Sequence, residues 1–409
     1  MKNILFIILA LTFLASAFGQ FSLIPVGGDT VKIYAFDILS FVFAFLGLVT
    51  LFSVKRKVTL SKYILYASFF SLFALITLVA SFRNHSVREV LVSSFYLLRY
   101  VNYVVVAFVL SQLINVDKTL VQKLINLMVA SAVFVAIAGF VQLAFFPNLS
   151  DLPAELGWDP HMGRLASTFF DPNFVGGYLV LAIILCALLL WDRKFKVNKP
   201  MFSVALVILI IALILTFSRS SYLMFSGFVL LLGLFKSKRL LLLFLVLMFV
   251  TYYSVPRIQT RLSGVTDPQD SAKYRLISWT NTLQIAKDNL LLGVGFNTFR
   301  YSQEEYGFFT FADDTGGHAG AGSDSSLLLV LATTGIFGLF LFLLIYFELI
   351  RGSYQTYTKG KNSLALAVLI SSISILVHSQ FVNSIFYPQF LLWFSSLSAL
   401  AQKPSASRR

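Results

Sequence analysis

The sequence predicts an all-α polytopic membrane protein: a single integral membrane domain over residues 1–409, about twelve transmembrane helices, and one large extracytoplasmic loop. Three observations predict it. Hydrophobic residues make up 58% of the chain and charged residues only 12%, a balance foreign to soluble domains of this size. Apolar stretches of roughly 17 to 25 residues, the length that crosses hydrocarbon as a helix, recur from end to end. Lysine and arginine gather in alternate loops, as the positive-inside rule demands.

The elements follow in order. The start, MKNILFIILALTFLASAFGQ, has the basic end, apolar core and small residues of a signal peptide. The apolar run resumes through Phe21 to Val26, so it reads as a first span, 4–26. Further spans are expected at 34–54, 62–82, 90–115, 121–146, 169–191, 201–217, 220–236, 239–255, 325–350, 363–380 and 383–401. With Lys2 inside, the inner loops hold Lys55, Arg56, Lys57 and Lys62, then Lys118 and Lys123, then Arg193, Lys194, Lys196 and Lys199. Lys236, Lys238 and Arg239, then Arg351, Lys359 and Lys361, then Lys403, Arg408 and Arg409 complete the set. Only two acids, Asp117 and Asp192, share those loops, so both termini are expected in the cytoplasm.

The net charge of +14 therefore reflects topology and not a nucleic-acid partner. The single cysteine, Cys186, excludes a disulfide framework and a thiolate zinc site. No H-E-x-x-H or comparable metal spacing, Walker A sequence, strand-led Rossmann glycine pattern or G-x-S-x-G is present. No metal and no cofactor is expected.

Two outer loops are long, about 147–168 and about 256–324. The second lies between spans nine and ten and has room for a folded element. Within it, 272–289 reads as a helix lying on the membrane surface, with Leu276, Trp279, Leu283 and Ala286 at helical spacing. Arg275, Asn281 and Lys287 fall on its polar face. All four histidines, His85, His161, His318 and His378, lie on or near the outer side, so the working face is expected there.

Arg219, in LTFSRSSYL, interrupts an apolar run of about fifty residues. A charge at a bilayer centre is costly, and the span assignment puts Arg219 instead at a tight outer turn between spans seven and eight. Arginine binds phosphate oxygens through a fixed fork and does not lose its charge. Arg219 and Arg164 thus suit a lipid-linked diphosphate at the membrane boundary. Arg164 can alternatively pair with Asp159 or Glu155, and Arg219 can serve as a positive cap near a helix end. Arg99, inside span four, is a third candidate, or else pairs with Asp37 of span two. Asp324, at the mouth of span ten, can take a proton from a sugar hydroxyl or cap the helix. Asp171, before Pro172, has the same two readings, proton acceptor or cap of span six, and Pro172 at a first helical position suits the cap.

Four stretches, in order, resemble the O-antigen ligase and O-antigen polymerase superfamily of bacterial envelope proteins. They are RLASTFFDPNFVGGYLVL (164–181), LTFSRSSYL (215–223), YRLISWTNTLQIAKDNLLLGVGFNTF (274–299) and DSSLLLVLATTGIFG (324–338). The resemblance implies a GT-C-like membrane glycosyltransferase, metal-independent, working on the outer face of the bacterial inner membrane. The donor would be a glycan on undecaprenyl diphosphate. The diphosphate would be held by Arg164 and Arg219, with Arg275, the arginine of the helix motif, and Arg99 as further candidates. A chain-length regulator or a flippase would be a partner beside the lipid bilayer. Ligases of the family usually carry H-N at the mouth of the span after the large loop, and a glutamate nine residues after the histidine. Aligned on Gly335, this chain has Asp324 and Ser325 at the first place and Thr333 at the second. His318 lies six residues too early, although the GGHAGAG glycines can fold it back as an alternative catalytic base. An acidic residue here resembles the polymerase branch. The expectation is a polymerase of lipid-linked repeat units of O-antigen or a similar surface polysaccharide. The alternatives are a ligase to lipid A core or another acceptor, and a polysaccharide transporter or flippase.

Overall fold

The structure, a computed structural model, describes all residues except 1, 25–30, 54–57, 150–160, 193–194, 255, 257–258, 261–270, 309–321 and 402–409. It is an all-α polytopic membrane protein. A helix stands at each of the twelve expected spans: α1 Lys2–Ala17, α2 Ala35–Ser53, α3 Lys62–Ala80, α4 Val87–Val116, α5 Thr119–Phe145, α6 Pro172–Trp191, α7 Lys199–Thr216, α8 Arg219–Phe235 and α9 Lys238–Ser254, then α12 Ser326–Gly360, α13 Ser363–His378 and α14 Pro388–Ala401. Between α9 and α12 lie α10, Ser271–Asp288, and the short α11, Phe299–Glu305. Among the described residues, seven helices are by themselves long and apolar enough to cross a membrane: α2 to α7 and α12.

The boundaries differ from the hydropathy reading where capping chemistry, not apolarity, sets them. α4 begins at Val87 because Ser86 and Glu89 form a reciprocal capping box. The apolar run of the first span does not stay helical to residue 26. α1 stops at Ala17, and a tight turn over Gly19–Ser22 leads into a two-residue strand, Leu23–Ile24, paired antiparallel with Ile33–Tyr34. α12 continues to Gly360, ten residues past the last apolar run, because Tyr357 packs edge-on against Phe235 of α8.

α6 is the axis of the bundle. It is apolar all round and almost wholly buried, as an interior helix must be, and it packs on α5, α7, α8 and α13. Its start is set as expected: Asp171 accepts from the amides of Asn173 and Phe174, with Pro172 in the first turn. A side chain at Gly177 would press within 3.0 Å of the His378 imidazole, so glycine there lets α13 close on α6.

α12 is not one continuous helix. Gly335 leaves helical geometry at φ 64°, ψ −171°. A broken helix at membrane depth must find other partners for its freed backbone groups. The 289–295 segment supplies them. The amides of Val294 and Gly295 donate to the carbonyls of Ala332 and Thr333 at 2.9 and 3.0 Å, and the Ile336 amide donates to the Leu290 carbonyl at 2.8 Å. The backbones approach so closely that a Cβ at Gly335 would lie 2.2 Å from the Leu291 carbonyl oxygen, and one at Gly293 would lie 2.4 Å from the Thr333 carbonyl carbon. The glycines of the G-V-G stretch and of α12 are thus two sides of one contact.

Candidate active site

The polar residues singled out in the sequence come from distant segments, and several meet at the end of the bundle that carries the two long loops. Arg164 is buried. Its Nε donates to the Thr216 carbonyl at 2.9 Å, and its Nη2 donates to the Phe217 carbonyl at 3.4 Å. These are the last carbonyls of α7, which ends on Phe217 in the left-handed conformation. A guanidinium there satisfies freed acceptors and favours the negative end of the helix dipole. Arg164, not Arg219, is therefore the positive cap of this turn. Its Nη1 also lies 3.4 Å from His161 Nδ1, and its Nη2 donates to Asn173 Oδ1 at 3.4 Å.

Arg219 is the first residue of α8, half-buried, with Ser218 as the helix cap. A cation at this end opposes the α8 dipole, so helix stability does not explain it. The serines around it build the turn. Ser218 Oγ donates to Asn173 Oδ1 at 2.8 Å and lies 3.1 Å from Ser220 Oγ, while Ser221 Oγ donates to the Asn173 carbonyl at 3.3 Å. Ser220 Oγ is 3.4 Å from Nε2 of His378, whose Nδ1 is 3.0 Å from Ser384 Oγ. The imidazole stacks on Phe390. Asn173 thus ties the PN entry of α6 to the SRSS turn, and His378 ties that turn to the α13–α14 connection. Neither residue was a site candidate from the sequence. Asn173 stood within a quoted motif, but nothing in the spacing of His378 marks it.

α10 brings a second group. The sequence puts Leu276, Trp279, Leu283 and Ala286 on one apolar stripe of a helix lying on the membrane surface, and the structure divides that stripe. Leu276 is 58% exposed and Leu283 40%, while Ile285 and Ala286 are buried at 0% and 2%. The helix packs through Thr282, Ile285 and Ala286 onto the start of α12 and turns its leucines outward. Thr282 serves as a packing residue: its Oγ1 donates to Ser323 Oγ at 3.0 Å. The Asp324 amide donates to Ser278 Oγ at 3.1 Å, and Trp279 packs against Phe381. Arg275, half-buried, is carried on the same helix.

Asp324 does not cap α12. Ser325 does, accepting from the Leu328 amide. Among the described residues the Asp324 carboxylate has no hydrogen bond and no ion pair. Burial pushes it above the ordinary carboxylate range; the Arg275 charge pulls it back and the Asp171 charge pushes it up. Asp324, Arg275 and Asp171 therefore share one electrostatic neighbourhood, and Asp171 is two residues from Asn173 of the turn network. Such an arrangement can accept a proton at a carboxylate while presenting fixed positive charge nearby.

Arg99 belongs to a different cluster. Its Nη2 meets Asp37 Oδ2 at 2.8 Å and also donates to the Lys32 carbonyl, with the guanidinium over Tyr34 and Tyr96. The pairing with Asp37 is thus the arrangement found. His318, Glu155 and Asp159 lie outside the described residues.

No curated protein matches the chain. The family model described as O-antigen ligase matches residues 204–343. The match runs from α7 through the SRSS turn, α10, the G-V-G segment and the break in α12, taking in three of the four stretches named above and leaving 164–181 before it. Over this stretch the chain's resemblance to the O-antigen ligase and O-antigen polymerase superfamily is shown.

Proposed function

We propose that the protein is a glycosyltransferase of the bacterial inner membrane that polymerises undecaprenyl diphosphate-linked repeat units of O-antigen or a similar surface polysaccharide. In this reading the loop-bearing end faces away from the cytoplasm, in accord with the loop charges, and residues 256–324 form its large extracytoplasmic loop. The observation that carries it is the Asp324 carboxylate, which does not cap α12 and is unpaired among the described residues, beside the charges of Arg275 and Asp171. An acceptor hydroxyl gives its proton to Asp324 as its oxygen bonds to the anomeric carbon. The bond from that carbon to the diphosphate oxygen breaks, and the lipid diphosphate leaves with the electron pair. Arg219 and Arg275 stabilise the charge that develops on it. Arg164 holds the turn that carries Arg219. The residues named supply both the base and the counter-charge, so no cofactor or metal enters this scheme.

The ligase reading rests on the description of the matched family. In it the acceptor is lipid A core or another surface molecule, and His318 is the leading base. A glycan gel from a deletion strain separates the two. Single repeat units left on carrier or core, with Arg219→Ala reproducing the deletion pattern, support the polymerase. Long chains held on the carrier and absent from the core support the ligase. An unchanged profile overturns both and favours transport.

A further inference from the structure

Arg219 is flanked on both sides by residues of one run of hydrogen bonds, Ser218 before it and Ser220 after it. The run starts at Arg164, whose Nη2 donates to Asn173 Oδ1 at 3.4 Å, and Ser218 Oγ donates to the same oxygen at 2.8 Å. Ser218 Oγ lies 3.1 Å from Ser220 Oγ, and Ser220 Oγ lies 3.4 Å from His378 Nε2. His378 Nδ1, at the far end, lies 3.0 Å from Ser384 Oγ. His378 is the last residue of α13, and nothing in the scheme above uses it.

The bland reading of a buried histidine is a satisfied core residue. Three features give this one a task. The first is its place in the run. Ser218 and Ser221 both bind Asn173 at the start of α6, whereas Ser220 reaches across to the end of α13. The turn is therefore tied to two helices besides its own. The second is the fit of the ring. A Cβ at Gly177 would lie 2.9 Å from His378 Cε1 and 3.0 Å from its Nε2, so α6 presents bare backbone to the same edge that meets Ser220. Phe390 stacks on the face of the ring, with an interplanar angle of 16°. Edge and face are both packed, and a side chain locked by packing and hydrogen bonds can hold its neighbour in place. The third is what the turn carries. Arg219 opens α8 against the helix dipole, and a long side chain loses much rotamer freedom when a ligand orders it. A backbone fixed beforehand on both sides reduces that cost.

We infer that His378 is a positioning residue for Arg219: its Nε2 edge fixes Ser220, and through Ser220 the backbone that aims the guanidinium at an anionic ligand. That this ligand is a lipid-linked diphosphate rests on the glycosyltransferase reading above; the fixing of the turn does not.

Substitution can separate the two ring nitrogens. The amide of glutamine reaches the place of Nε2, and the amide of asparagine reaches the place of Nδ1. His378→Gln therefore keeps a partner for Ser220 and gives up Ser384, and His378→Asn does the reverse. Ser220→Ala removes the other end of the contact without touching α13. The full chain is tested in lipid nanodiscs with two readouts. The first is the electron paramagnetic resonance spectrum of a nitroxide on Arg219→Cys, in a Cys186→Ala background, which reads the order of position 219 with no ligand added. The second is retention of radiolabelled undecaprenyl diphosphate by chains that keep Arg219. We expect His378→Asn and Ser220→Ala to give the sharper lines of a mobile label and to weaken retention about fivefold, the order of one lost hydrogen bond. His378→Gln should stay near the wild type in both. His378→Asn should cost nothing further once Arg219→Ala is present. Unchanged label spectra in His378→Asn and Ser220→Ala overturn the positioning role. A loss in His378→Gln as large as that in His378→Asn also overturns it, and assigns the imidazole to the α13–α14 connection through Ser384. If the histidine variants fail to fold, Ser220→Ala decides: a mobile label upholds the role, and an unchanged one overturns it. A wild type that retains no lipid diphosphate, with the label spectra as expected, upholds the positioning and sinks the glycosyltransferase reading instead.

Discussion

Arg99 and Asp37 meet at 2.8 Å between α4 and α2, with side chains only 11% and 6% exposed. Asp37 also accepts from the Tyr34 amide and the Tyr103 hydroxyl. Removing one partner of such a pair strands the other charge, which in buried pairs costs about 3–5 kcal/mol. Asp37→Ala is expected to lower the thermal midpoint in detergent sharply. Joint replacement by apolar residues, Asp37→Leu with Arg99→Met, should recover most of that loss. If the double variant were no more stable than the single one, the stranded-charge account would be wrong.

The Gly335 break gives a second prediction. A non-glycine residue at positive φ costs about 1–2 kcal/mol from its backbone alone. Here its Cβ would also strike the Leu291 carbonyl oxygen at 2.2 Å. Gly335→Ala should therefore lower both protein level and thermal midpoint, by more than Gly307→Ala, where φ is 67° but nothing lies within 4 Å of the added carbon. Equal effects at the two positions would mean that the 289–295 segment yields to accommodate the side chain.

Much of this architecture was legible in the sequence because membrane insertion leaves a strong signal. Apolar length located the twelve apolar helices, helical spacing located α10, and Asp171-Pro172 announced the start of α6. What stayed hidden was tertiary. Nothing local distinguishes Ser325 from Asp324 as the cap of α12, since both residue types cap well. The face of α10 that packs is chosen by Thr282 and its bond to Ser323, not by its leucines. His378 sits at the end of an apolar helix, and only the packed bundle shows that it joins Ser220 to Ser384.

Arg219 opens α8 against the helix dipole, and Arg164 already caps α7. If Arg219 grips a diphosphate through its fork, Arg219→Lys keeps the charge and loses the paired contact. Turnover is expected to fall tenfold or more in Arg219→Lys, and further in Arg219→Ala, with stability unchanged or slightly raised. Full polymer length on a glycan gel from the lysine variant would remove the forked contact from the mechanism.

Asp324 yields the prediction with a sign to work out. Its carboxyl is raised by burial, so the folded protein binds that proton more tightly than the unfolded chain, where a carboxyl titrates near about 3.9. Stability from this group is therefore greatest at low pH. It is lost as pH rises from the unfolded value through the raised folded one, and the ionised carboxylate is a standing penalty at neutral pH. Catalysis runs the other way, because only the ionised form can accept the hydroxyl proton. Transfer should thus fall on acidification with a midpoint above that of a solvated carboxylate. Asp324→Asn should cut turnover a hundredfold or more while matching or exceeding the wild-type thermal midpoint at pH 7. Asp324→Glu should restore part of the activity together with the acid limb. If Asp324→Asn instead lost stability and kept its turnover, the carboxylate would be a structural element of the α12 entry, and the base would have to be sought elsewhere.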